Sequence, residues 1–306
     1  MTVPRRWPCD HAAMSERTKP NVEVIDLAPG LWIWRLDHPE WNEHFDWPRV
    51  VTSVCVDAGD ERWLLDPLLP PADATQVWDR LAERPPTAVA LLIPDHADRM
   101  SWSDPQVPSV DAVVSHYRCR AFGPDDWSNN RPPRNKLQKI VPNEELPGGL
   151  MPFRDPRGWS ETPLYLPQQK TLVFGDTLTE RGGALRIWGT PNMERARSDL
   201  RAMLDLPLER LIISHGQPVH TREALQRALD LPGWPTSTPL HHAAWEGDFD
   251  SVRRLVTEGA DLMARDEAHN ATALEWAEAA AKQKWAAGRR HPEVIDYLRS
   301  ATGEKA

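Results

Sequence analysis

The run TAVALLI at residues 87–93 constrains the fold more than any other stretch. It is apolar after its first residue and does not alternate, so a strand here has no face to offer water and must be covered on both sides. Pro94 ends it, because proline has no N–H for a ladder. The next residues, PDHADRM, place His96, two aspartates and Arg99 directly at the end of a buried element. Ionisable groups at the exit of a covered strand are candidates for a site rather than for a solvated loop.

The flanking sequence supplies the sheet partners. VEVIDLA (22–28), GLWIWRL (30–36) and VVTSVCVDAG (50–59) are rich in β-branched and aromatic residues and read as strands. ERWLLD (61–66) follows the last of these through a short AGD turn and predicts a hairpin. ADATQVWDRLAER (72–84) puts Val77, Leu81 and Ala82 on one helical face, and VDAVVSH (110–116) reads as another short strand. Residues 121–160 are rich in Pro, Gly, Asn and Asp and read as a long irregular segment. Strands are expected at 162–167, 171–176 and 210–214, and helices at 192–204 and 221–231.

Composition narrows the partners. The chain has 306 residues, 40% apolar and 26% charged, as in a soluble globular protein, and a net charge of −9. That charge argues against nucleic acid and against an anionic membrane surface. No apolar stretch reaches the length of a membrane span, and the N-terminal 20 residues have no apolar core, so they read as a mobile arm rather than a secretory signal. The three cysteines, Cys9, Cys55 and Cys119, lack metal or disulfide spacing and point to a reducing, cytoplasmic setting.

LPGWPTST (231–238) is broken by Pro and Gly and marks a domain boundary, giving an arm at 1–20, a main domain at 21–234 and a tail at 235–306. In the tail, Thr238-Pro239-Leu240-His241-His242-Ala243 is echoed by Thr272-Ala273-Leu274-Glu275-Trp276-Ala277, 34 residues later. FDSVRRLVTE is echoed by HPEVIDYLRS. The first copy matches the ankyrin signature, and the tail resembles two ankyrin repeats, a small all-α unit. Two repeats are fewer than such units need to stand alone, so the tail is expected to dock on the main domain or on another chain. His241 and His242 are expected to hydrogen-bond within their own turn.

The order of pieces over 21–234 resembles the metallo-β-lactamase superfamily. The carrying residues are the hairpin ending at Asp66-Pro67, LLIPDHADRM in place of an HxHxDH loop, GWSETPLYLPQQKTLVFGD, and IISHG. The resemblance implies an α+β fold, an αββα sandwich of two sheets with outer helices. It also implies a two-metal site of five histidines and two aspartates. Along that pattern Pro94, Arg99 and Trp159 replace three histidines, while His96, Asp98, Asp176 and His215 remain. The first metal position keeps only His96. The second keeps Asp98, Asp176 and His215, with Arg99 at its fourth corner.

Three functions follow. In the first, Arg99 pairs with Asp98 or Asp176, no metal binds, and the cleft and tail serve as a binding or regulatory scaffold. In the second, one zinc, manganese or iron ion on Asp98, Asp176 and His215 drives hydrolysis of a thioester, lactone or phosphoester. In the third, the tail carries protein recognition or self-association. A full two-metal centre would need stray histidines such as His38, His44 and His116. Catalytic candidates are Asp98, Arg99 and Asp176. The four retained ligands also have a structural role open to them, as strand-end histidines and turn-capping aspartates. Trp41, Trp47, Trp127 and Trp159 are candidates for an apolar mouth to a small-molecule cleft.

Overall fold

A computed structural model describes residues 19–41, 47–124, 135–190, 192–282 and 286–303. The first sheet runs β1 (Glu23–Ala28), β2 (Leu31–Asp37), β3 (Val50–Ala58), β4 (Glu61–Leu65), β5 (Ala88–Ala90), β6 (Arg120–Gly123) and β7 (Gln138–Lys139) in spatial as in chain order. The first four strands form an antiparallel meander, and β4 through β7 pair in parallel. The second sheet is ordered β14 (Val219–His220), β13 (Arg210–Ile212), β10 (Thr171–Val173), β9 (Leu164–Leu166) and β8 (Met151–Pro152). A separate hairpin joins β11 (Leu178–Arg181) to β12 (Ala184–Ile187).

Period-2 alternation explains the layers. Along β2, Leu31 and Ile33 enter the core between the sheets, while Trp32, Trp34 and Leu36 enter the core under α1 (Thr75–Glu83) and α2 (Ser109–Tyr117). Along β10, Val173 faces the inter-sheet core and Leu172 faces α3 (Met193–Met203) and α4 (Arg222–Ala228). Both sheets are therefore covered on both faces, giving an α/β/β/α sandwich with three apolar layers.

Two local expectations change. Residues 110–116 are helical, not a strand. Val110 and Val113 recur at helical spacing and bury into the layer under the first sheet, and that packing overrides the β preference of valine. On α1 the buried face is Val77, Trp78 and Leu81, with Ala82 exposed. The segment 121–160 is less irregular than its composition suggests, since β6, β7 and β8 fall in or at its edge.

The tail forms two helical hairpins, α5 (Pro239–Glu246) with α6 (Phe249–Thr257) and α7 (Ala273–Ala280) with α8 (His291–Thr302). Thr238 and Thr272 each close a capping box, with His241 and Glu275 at the third helical position. Leu240, Ala244, Val252, Leu274, Ala277, Val294 and Leu298 form a core of their own. Polar contacts tie the tail to the preceding region. Arg186 of β12 reaches Glu267 with both terminal nitrogens at 3.2 Å and also donates to Thr236 Oγ1 at 3.1 Å. Trp234, at the junction, lies under the guanidinium groups of Arg181 and Arg186. Among the described residues, no helix is long and apolar enough to cross a membrane.

Candidate functional site

Parallel pairing puts the ends of neighbouring strands side by side. The chain leaves β4 at Asp66 and β5 toward His96 and Arg99, at one end of the first sheet. It leaves β10 toward Asp176 and β13 toward His215, at one end of the second. A bridge from Val51 to His215, with Thr52 N–H donating to the Ser214 carbonyl at 3.0 Å, draws these ends together. Loops at the carboxyl ends of parallel strands are where such sheets carry ligands.

Asp66 organises the floor. It has a positive φ of 45°, which is unusual for a residue with a side chain. In this conformation its Oδ1 accepts from Leu92 N–H at 2.8 Å and its carbonyl accepts from Arg99 Nη1 at 2.9 Å. Its Oδ2 lies 2.8 Å from His96 Nδ1, a contact without hydrogen-bond alignment. The other side of the His96 ring is contested. Nε2 lies 2.8 Å from Arg99 Nη2 and 3.1 Å from Asp176 Oδ1. A guanidinium can only donate, so Nε2 accepts from Arg99 in the neutral ring and turns an N–H toward Asp176 in the charged one. Burial and Arg99 push the His96 pKa down, but Asp66 and Asp176 outweigh them and raise it to about 9.

Asp176 Oδ1 is also 3.3 Å from His215 Nε2. Burial would raise the Asp176 carboxyl, but the two imidazoles hold it well below the usual carboxylate range. The ligand atoms of His96, Asp176 and His215 all lie within 4.8 Å of one another. Beneath them sits a charged network from the segment 155–161. Glu161 accepts from the N–H groups of Gly175 and Asp176, each at 2.8 Å, and from Arg157 Nη2 at 2.9 Å. Arg157 Nη1 donates to the Asp176 carbonyl at 3.0 Å, and Asp155 accepts from the N–H groups of Arg157 and Glu161. Arg157 and Glu161 are fully buried. Gly175 is closely packed here, since a Cβ would lie 3.2 Å from Ile93 and 3.4 Å from Glu161.

Above the floor is a cavity of about 290 Å³. His96, Arg99, Asp176 and His215 line its base, and Trp47, Trp159 and Trp188 its walls. The Trp47 ring lies 5.0 Å from that of His215, and the Trp188 ring lies 6.1 Å from it. The Trp159 indole covers the Arg157 guanidinium at 4.3 Å.

Comparison with solved structures identifies this framework. The metallo-β-lactamase FIM-1 from Pseudomonas aeruginosa, in its mono-zinc form, superposes with a TM-score of 0.51 at 17% identity, over 69% of this chain and 94% of its own. The metallo-β-lactamase DIM-1 exposed to ceftazidime gives 0.52 at 12% identity, over 70% and 98%. TMB-1 gives 0.52 at 13% identity, over 69% and 97%. The main region has the metallo-β-lactamase fold. Residues 237–267 match the ankyrin repeat family. No curated protein matches the chain by sequence.

Within the metallo-β-lactamase fold, the residues expected to form the site mostly do meet. His96, Arg99, Asp176 and His215 converge, and His38 also lines the cavity. Burial lowers the His38 pKa to about 3, helped by Arg99, His215 and His96, so this ring is neutral. Asp98 closes the short helical turn Pro94–Asp98, but its side chain lies outside the described residues, as do His44, Trp127 and Cys9. His116 sits on α2, stacked edge-on to Tyr117, and is not part of the cavity lining. Trp41 bonds the Trp47 carbonyl rather than lining the cavity, and Trp188 takes a place on the wall that its sequence context did not suggest. The described partners of Arg99 are the Asp66 carbonyl and His96, not the carboxylate of Asp176. Sequence reading missed Asp66, Asp155, Arg157 and Glu161 as site residues. The cluster RDPRGWSE, with four charges beside a strand pair, was the available signal.

Proposed function

We propose that the chain is a metallo-β-lactamase-like binding protein whose cavity takes a small molecule without a two-metal centre. Its ankyrin-type tail serves protein recognition or self-association. The proposed limits are an arm at 1–20, a main domain at 21–234 and a tail at 235–306. The observation that carries this reading is the position of Arg99. It is 3% exposed, and its Nη2 stands 2.8 Å from His96 Nε2, the nitrogen a metal would need. A permanently charged guanidinium repels a dication from that corner and supplies the positive charge that buried carboxylates require. A conventional zinc pair does not fit these residues, because Pro94 and Trp159 offer no ligand atom at two of the expected positions.

The test is the metal content of the purified full chain after incubation with zinc, manganese or iron and desalting. The reading expects well under one ion per chain, and one retained ion per chain overturns it. The triple replacement Pro94→His, Arg99→His, Trp159→His is expected to create zinc affinity. If it binds no zinc, those positions do not correspond to metal ligands.

One observation favours a second reading, the convergence of His96, Asp176 and His215. It supports a mono-metal hydrolase acting on a thioester, lactone or phosphoester, and FIM-1 provides a mono-zinc example of the fold. Asp98, Asp176 and His215 would hold the ion, with His96 beside them. The ion would polarise the scissile group and acidify a bound water. Arg99 would have to leave His96 for His96 to contribute.

A further inference from the structure

Trp159 is one of two large apolar side chains exposed among the described residues, at 47%, and it stands at the wall of the cavity. Its ring is not loose. The buried Arg157 guanidinium lies 4.3 Å from its centroid, and Asp155, Glu161 and the Asp176 carbonyl hold that guanidinium in place. An indole pinned on a buried cation, half in solvent at a concave site, is a ready stacking surface. Trp47 and Trp188 add two further indoles around His215.

The base of the same cavity offers a charge of the opposite kind to a metal's usual ligands. Arg99 is buried yet lines the cavity, and among the described residues its guanidinium donates to the Asp66 carbonyl and lies against His96. Asp66 and Asp176 offset part of that charge, but Asp176 Oδ1 is already engaged by two imidazoles. Asp95 and Glu40, the remaining acids of the lining, are exposed at the rim.

We propose that the cavity binds a flat aromatic monocarboxylate, its ring stacked on Trp159 and its carboxylate directed to Arg99. This rests on the reading that Arg99, rather than a metal, sets the charge of the base. The ligand is held, not transformed, so no bond is made or broken.

The experiment is calorimetric titration of the full chain, with metal content measured on the same sample. The probes are 2-naphthoate, the neutral 2-naphthalenemethanol, cyclohexanecarboxylate and 2-naphthylmethylammonium. One 2-naphthoate per chain is expected, with about tenfold weaker binding of the neutral alcohol from loss of a charge-assisted hydrogen bond. Trp159→Leu, an exposed change that spares the core, is expected to weaken 2-naphthoate by about fivefold from lost stacking and leave cyclohexanecarboxylate unchanged. Arg99→Met is expected to abolish the preference for the carboxylate. No saturable binding of 2-naphthoate, equal affinity for the alcohol, tighter binding of the ammonium, or indifference to Trp159→Leu each overturns the proposal. A metal-free sample that binds no 2-naphthoate sinks this inference alone. A stoichiometric metal sinks the reading beneath it.

Discussion

Arg157 and Glu161 are both fully buried, and removing Glu161 would leave the Arg157 guanidinium with Asp155 as its one remaining described carboxylate partner. Glu161 also ties down the N–H groups on either side of the Gly175–Asp176 bond, so it holds Asp176 toward the cavity. Glu161→Leu should therefore cost about 4 kcal/mol in urea unfolding, the usual cost of removing one partner of a buried ion pair. A loss under about 1 kcal/mol, the range of exposed pairs, would show that the pair is not closed in solution. At this scale the sequence was half legible. His96, Arg99, Asp176 and His215 stand at strand ends and could be found there. Asp66 and Glu161 were harder to place, because their roles come from a positive backbone angle and from the β8–β9 loop folding back beneath the end of β10 in the same sheet.

The tail helices show how much a local pattern can say. Thr238 and Thr272 sit three residues before His241 and Glu275, and a capping box forms in each repeat. Thr272→Ala should cost about 1 kcal/mol, read as a lower melting temperature of the tail. His242 gives a pH dependence. Burial, helped by His241, lowers its pKa to about 4, below the ordinary value of 6.5. A base with a depressed folded-state pKa contributes stability that is complete above pH 6.5 and is lost as pH falls toward 4. His242→Gln should flatten the melting temperature across that window, and an unchanged slope would refute the assignment. The helix α2 marks the limit of such reading. Three valines in seven residues look like a strand, and only contact with the first sheet selects the helix.

Across the whole molecule, three apolar layers belong to the sandwich and a fourth core belongs to the tail, with polar ties such as Arg186–Glu267 between them. Part-buried pairs at a rim, such as Arg186–Glu267, contribute on the order of 1 kcal/mol. The tail should therefore open on its own. Hydrogen exchange is expected to show lower protection in 239–302 than in the sandwich, and one shared opening free energy would contradict this. Fold class was the most legible level, because buried strands, their order and the repeat are all written in local composition. How the tail meets the sandwich was not, since it depends on single side chains such as Arg186 and Glu267.

The base of the cavity is assembled from two sheets that touch through side chains rather than a shared ladder over most of their area. The gap between His96 and His215 is then set by how thickly the layer between the sheets is filled. Val173 and Ile212 lie in that layer, each three residues before the cavity residue its strand leads to, Asp176 and His215. Trimming or enlarging either one would act like a shim under a hinge, resetting the spacing of the rings above without altering any group that faces the ligand.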